Sequence, residues 1–125
     1  MILMTLVVLA AAEPLAPVAV EPPVYEVEFP APNRAYASLG PVGPYYPQVA
    51  HDDRQDGVAT LRCRTGDAGA LEACDVVSET PPRYDFGIAA VVMARRKYIR
   101  AAGSPPAGQT IIVRVPFVLP GTMVR

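Results

Sequence analysis

Hydrophobic and polar positions divide the chain into three kinds of sequence. Residues 1–12, MILMTLVVLAAA, form an uncharged apolar run. Residues 13–47 break every periodicity with prolines at 14, 17, 22, 23, 30, 32, 41, 44 and 47. Regular patterns begin near Tyr46. YPQVAHDDRQ, residues 46–55, opens on Pro47, where a helix's first N–H is free, and closes before Gly57, predicting one short helix. From Val58 to Thr65 the chain alternates, with Ala59, Leu61 and Cys63 on one face and Thr60, Arg62 and Arg64 on the other, the period of a half-buried strand. A hairpin turn at Gly66–Gly69 leads into a second strand, Leu71–Val77. Leu71 and Cys74 are three apart, so they share a face only across a β-bulge near Glu72 or Ala73, which then brings Cys74 and Val76 onto the buried face with Cys63 and Leu61.

Further on, Asp85 is placed to cap a helix running to Arg100, with Phe86, Ala89, Ala90, Met93 and the alkyl stem of Lys97 on one side. After a Gly-Ser-Pro-Pro-Ala-Gly break, QTIIVRVPFVL, residues 109–119, is the clearest strand. The predicted order is helix, strand, strand, helix, strand, an α+β domain. Within the proline-rich stretch, fixed φ and missing N–H groups favour extended chain, making a semi-rigid spacer of at most about 110 Å at ~3.1 Å per residue. VYEVEF, residues 24–29, alternates as a short strand does, with docking on the domain the lesser alternative to free spacer.

Composition narrows the function classes. The 125 residues carry a net charge of −1, so no charge bias points to nucleic acid. With a single histidine, His51, and two cysteines, no metal site can be assembled, and His51 is read as a solvent-facing helix residue. Asp52, Asp53 and Glu79 are isolated carboxylates, no catalytic constellation is visible, and the chain is read as a non-enzyme without cofactor or small-molecule substrate. The basic cluster Arg95, Arg96, Lys97 and Arg100 complements a helix C-terminus.

Ala10 and Ala12 are spaced as a signal-peptidase site before Glu13, so residues 1–12 are read as a signal peptide and the product as periplasmic. The run meets Glu13, Pro14 and Pro17 well short of the roughly 20 apolar residues of a membrane span, leaving an inner-membrane anchor as the lesser alternative. In an oxidising periplasm Cys63 and Cys74, on adjacent strands and one face, are expected to form a disulfide across the hairpin; a packed, reduced pair is the alternative.

The segments YPQVA, DGVATLRCRTGDAGALEACDVVSE, DFGIAAVVMARR and TIIVRVPFVL, taken in order, resemble the C-terminal domain of the TonB family of periplasmic energy transducers. The resemblance covers residues 44–119, after a spacer at 13–43 and before a tail at 120–125. It rests on a Tyr-Pro-x-x-Ala start, a Gly-x-Val strand opening, the hairpin exit, a Phe-containing second helix and a Val-x-Val-Pro final strand. Gly43 stands where family members often carry Gln, and Lys97 where they prefer an aromatic residue.

The resemblance implies a three-stranded antiparallel sheet in the order 2-1-3 with two helices on one face. It further implies that the last strand pairs edge to edge with an extended segment of an outer-membrane receptor or other envelope protein. Strand addition of this kind depends on backbone hydrogen bonds and an exposed edge. A structural envelope protein dimerising through that edge is the alternative. Pro116 sets the geometry: lacking an N–H, it belongs on the open side of an edge strand, and counting back by two puts the backbone groups of Arg114, Ile112 and Thr110 outward as the partner-binding residues. An added strand is then expected along residues 109–115, with Ile111, Val113, Val115, Phe117 and Leu119 in the core.

Overall fold

The computed structural model describes Leu3, residues 21–29 and residues 42–120. The signal-peptide reading of residues 1–12 and the tail beyond Pro120 lie outside the described residues, Leu3 apart. No helix among the described residues is long and apolar enough to cross a membrane.

The strands are β1 (Val24–Glu28), β2 (Gly57–Thr65), β3 (Leu71–Thr80), β4 (Arg100–Ala101) and β5 (Thr110–Phe117). The helices are α1 (Gln48–Asp52), preceded by a 3-10 turn at Gly43–Tyr45, and α2 (Phe86–Arg95). The α+β class follows the sequence periods, but the sheet is not the expected three-stranded one. Among the described residues it has five strands in the order β3-β2-β5-β1-β4. The β2–β3, β2–β5 and β1–β4 pairs are antiparallel and β1–β5 is parallel. The two additional strands come from the VYEVEF segment of the spacer and from Arg100–Ala101, which follow the turn that closes α2. An alternating segment flanked by prolines thus folds as a strand because a neighbouring strand offers it backbone partners.

Alternation along β2 and β5 sets the core. Ala59, Leu61 and Cys63 of β2 and Ile111, Val113, Val115 and Phe117 of β5 are buried on the inner face, and Leu119 closes the same cluster. Against them lie Ala50 of α1 and Phe86, Ala90, Met93 and Ala94 of α2. Tyr46 meets Phe86 and Phe117 edge-on, with centroids 5.9 and 5.8 Å apart. Its hydroxyl donates to the Gln55 carbonyl, and burial, helped by the nearby Asp56 carboxylate, pushes the phenol up to about 12, so it stays a neutral donor.

The predicted bulge is present, and there are two. The β2–β3 register shifts between Arg62 and Arg64, where Ala73 takes a φ of 47°, and again between Thr60 and Leu61. The first brings Cys74 beside Cys63, and the two form a disulfide with Cα atoms 4.1 Å apart. Cys63 is buried and Cys74 only partly so, and Val76, expected on the same buried face, rests against α2 at Gly87 but remains 43% exposed, because β3 is an edge strand.

Both ends of α2 depart from the sequence reading. Asp85 sits in the left-handed region at φ 63° and makes no side-chain cap. The cap comes from Glu79 on β3, read from sequence as an isolated carboxylate, whose oxygens accept from the N–H groups of Gly87 (3.1 Å) and Tyr84 (3.3 Å). The helix ends at Arg95, not Arg100. The Tyr98 N–H donates to the Met93 carbonyl and the Lys97 N–H to Ala94, with Lys97 at φ 60°, so the chain closes in a Schellman turn. Lys97 is therefore exposed rather than part of the apolar stripe, and Ile99 is buried after it.

A left-handed lysine costs about 1 kcal/mol relative to glycine at such a position. Lys97→Gly is expected to raise stability by about that amount, read as a higher urea midpoint; an unchanged or lower midpoint would show the turn to be unstrained.

Candidate functional site

The site predicted from Pro116 is the side of β5 away from β2. Alternation places the side chains of Thr110, Ile112, Arg114 and Pro116 on the outer face of the sheet and their backbone groups toward this side. The Ile112 N–H indeed points away from β2, donating to the Pro23 carbonyl at 2.9 Å. This edge is not open, contrary to the expectation drawn from Pro116. β1 lies along it, with Val24 opposite Ile112, Tyr25 opposite Val113 and Glu26 opposite Arg114. Two of the three predicted residues, Ile112 and Arg114, thus face β1. Thr110 lies beyond its start and pairs only with Arg64 of β2. The parallel ladder stops at Arg114, short of Pro116, which has no N–H to continue it.

On its other side β1 meets β4. Val27 stands opposite Ala101 and Glu28 opposite Arg100, and the Ala102 N–H donates to the Glu26 carbonyl at 2.8 Å. The parallel register implies that the N–H groups of Tyr25 and Val27 point to β5, while those of Glu26 and Glu28 point to β4. β1 therefore occupies a slot with backbone partners on both walls.

Side chains divide the same way. Tyr25, Val27 and Phe29 turn to the inner face and pack, partly buried, on the core. Phe29 meets Tyr98 edge-on at 6.1 Å, Tyr98 lies 4.8 Å from Tyr45, and Arg96 stands 5.9 Å over the Tyr45 ring. On the outer face Glu28 Oε2 lies 3.0 Å from Arg100 Nε, and Glu26 stands opposite Arg114 in the strand register. The same arrangement recurs on the far side of the sheet, where Arg62 and Arg64 of β2 stand opposite Asp75 and Glu72 of β3. Opposite charges in such cross-strand positions each contribute about 0.2–1 kcal/mol and help fix register.

Sequence reasoning derived the outward direction of the Ile112 backbone but missed the strands that flank it. The readable signal was the alternation of VYEVEF, with Glu26 and Glu28 on one face; no period marks the two-residue β4.

Elsewhere the described residues offer little reactive chemistry. His51 Nδ1 lies 3.8 Å from Asp52 Oδ1 with both side chains more than half exposed. No group of three or more His, Cys, Asp or Glu side chains among the described residues could hold a metal ion. A scan against protein-family models and a search of curated proteins each find no match to the chain.

Proposed function

We propose that this chain is a periplasmic protein-interaction module that takes an extended strand of an outer-membrane or other envelope protein onto the β5 edge, the mode implied by its resemblance to the TonB C-terminal domain. The observation that carries the reading is β1 itself. A segment of spacer, none of whose residues is fully buried, is held in the sheet beside Ile112 and Arg114 by backbone pairing and a few contacts at its margins. An edge that orders such a segment has the donors, acceptors and flanking apolar surface that strand addition requires. The role is non-enzymatic and involves no cofactor.

The alternative, a structural envelope protein whose copies pair edge to edge, would use the outer side of β3, which no other described strand covers. Two bulges and the left-handed Ala73 distort that edge, a feature that discourages intermolecular pairing.

Affinity capture from a bacterial envelope extract, combined with a mass measurement of the free protein, separates the two. A monomer is expected, and Ile112→Pro, which removes the N–H at the centre of the site, is expected to lower capture of a specific envelope protein at least about tenfold while remaining folded. Undiminished capture by folded Ile112→Pro would place the site elsewhere, and a concentration-independent dimer would favour the structural reading.

A further inference from the structure

We infer that β1 is an intramolecular occupant of the strand-accepting slot, and that a partner enters by displacing it as an extended segment parallel to β5, with apolar side chains at alternate positions and carboxylates between them. This rests on the reading of the β5 edge as the partner site and adds how the site is controlled and what it selects.

Three observations lead there. First, β1 is peripheral to the core: its five residues are exposed or intermediate, whereas β2 and β5 each bury four. Their buried apolar side chains already form one cluster with α1 and α2, so β1 can leave while that cluster stays closed. Second, β1 is bracketed by Pro22, Pro23 and Pro30, which cannot donate to a ladder, and twelve residues, 30–41, separate it from the first turn of the domain. Twelve residues span up to about 40 Å, enough to carry the strand clear of the slot without disturbing residues 42–119.

Third, the slot has chemistry on every side. Its walls present the Ile112 and Ala102 N–H groups, its floor the apolar surface that Tyr25, Val27 and Phe29 now cover, and its outer rim Arg114 and Arg100. An emptied slot would leave these donors to water and the floor exposed, so an equivalent strand is favoured to replace β1. The cations specify the order of the replacement: an acidic residue opposite Arg114, a second two positions later opposite Arg100, and apolar residues between and after them. Because only molecules with β1 released can bind, partner affinity is reduced by the released fraction.

The test uses the full chain and, as a stand-in for the partner, a fluorescent peptide of residues 22–30, PPVYEVEFP. Val27→Pro removes an N–H that β1 gives to β5 and is expected to release β1. The folded variant should then bind the peptide at least about tenfold more tightly than the parent chain, and a peptide with lysine at both glutamate positions should bind it several-fold more weakly. Equal binding by parent and variant would overturn masking while leaving the edge reading intact. No binding by a variant whose residues 24–28 have lost amide protection would overturn both.

Amide exchange in the unaltered chain gives a second arm that is independent of the variant's folding. The amides of Tyr25 and Val27 should exchange at least about tenfold faster than those of β2, and equal protection would show that β1 is integral to the fold and not displaceable.

Discussion

Phe86→Ala is expected to lower the stability of the domain by about 3 to 5 kcal/mol, the largest effect of any single truncation in the structure. Phe86 is the first residue of α2 and is fully buried. Its ring lies 4.9 Å from Phe117 and 5.9 Å from both Tyr46 and Tyr84, so it joins α2 to β5 and to the turn before α1. Gly57 is pressed against the same ring: a β-carbon there would fall 2.3 Å from Phe86 Cε2. Packing this tight leaves little scope for collapse around an alanine, so the cavity term adds to the lost burial. For a domain this small, with total stability of roughly 5 to 10 kcal/mol, the loss is a large fraction of the whole. Urea denaturation should show a much lower midpoint at an unchanged slope, and a loss below about 1.5 kcal/mol would mean that the aromatic cluster is not the centre of the core.

The second large effect is expected from the disulfide. Cys63 and Cys74 close a loop with a sequence separation of 11, for which the chain-entropy account gives about 2 to 3 kcal/mol. Cys63 is buried at 1% exposure on β2, and the bulge at Ala73 is what turns Cys74 toward it. The double variant Cys63→Ala/Cys74→Ala should therefore lose about that amount and fray first at β3, whose outer side no other described strand covers. Comparing the urea midpoints of oxidised, reduced and doubly substituted protein measures it. Coinciding midpoints for all three would show that the hairpin is held by its ladder and by packing alone.

Readability from sequence followed the range of the interaction responsible. β2 and β5 were legible because a strand buried on one face writes its period into neighbouring residues, Leu61 and Cys63 or Ile111 and Val113. The disulfide and one of the two bulges were legible because the spacing of Leu71 and Cys74 admits no regular strand. Glu79 was not recognised as the cap of α2, because the bond joins β3 to a helix eight residues further on and local rules favoured Asp85. The early end of α2 was hidden because lysine, unlike glycine, gives no sign of a left-handed turn. At the candidate site the backbone direction of Ile112 could be derived from Pro116 alone. Its occupant could not, because pairing between residues 24 and 112 depends on a long-range contact whose only local trace is the alternation of VYEVEF.

The central claim is that the β5 edge accepts an extended parallel strand and that β1 fills it in the unbound chain. The most direct test is amide exchange at Ile112 and Arg114 in the full-length Val27→Pro protein, without and with the residue 22–30 peptide. Exchange at both positions should be fast in the variant alone and slow at least about tenfold when the peptide is present, while β3 is unaffected. Exchange at Ile112 and Arg114 that ignores the peptide, or new protection along residues 71–80 instead, would contradict it.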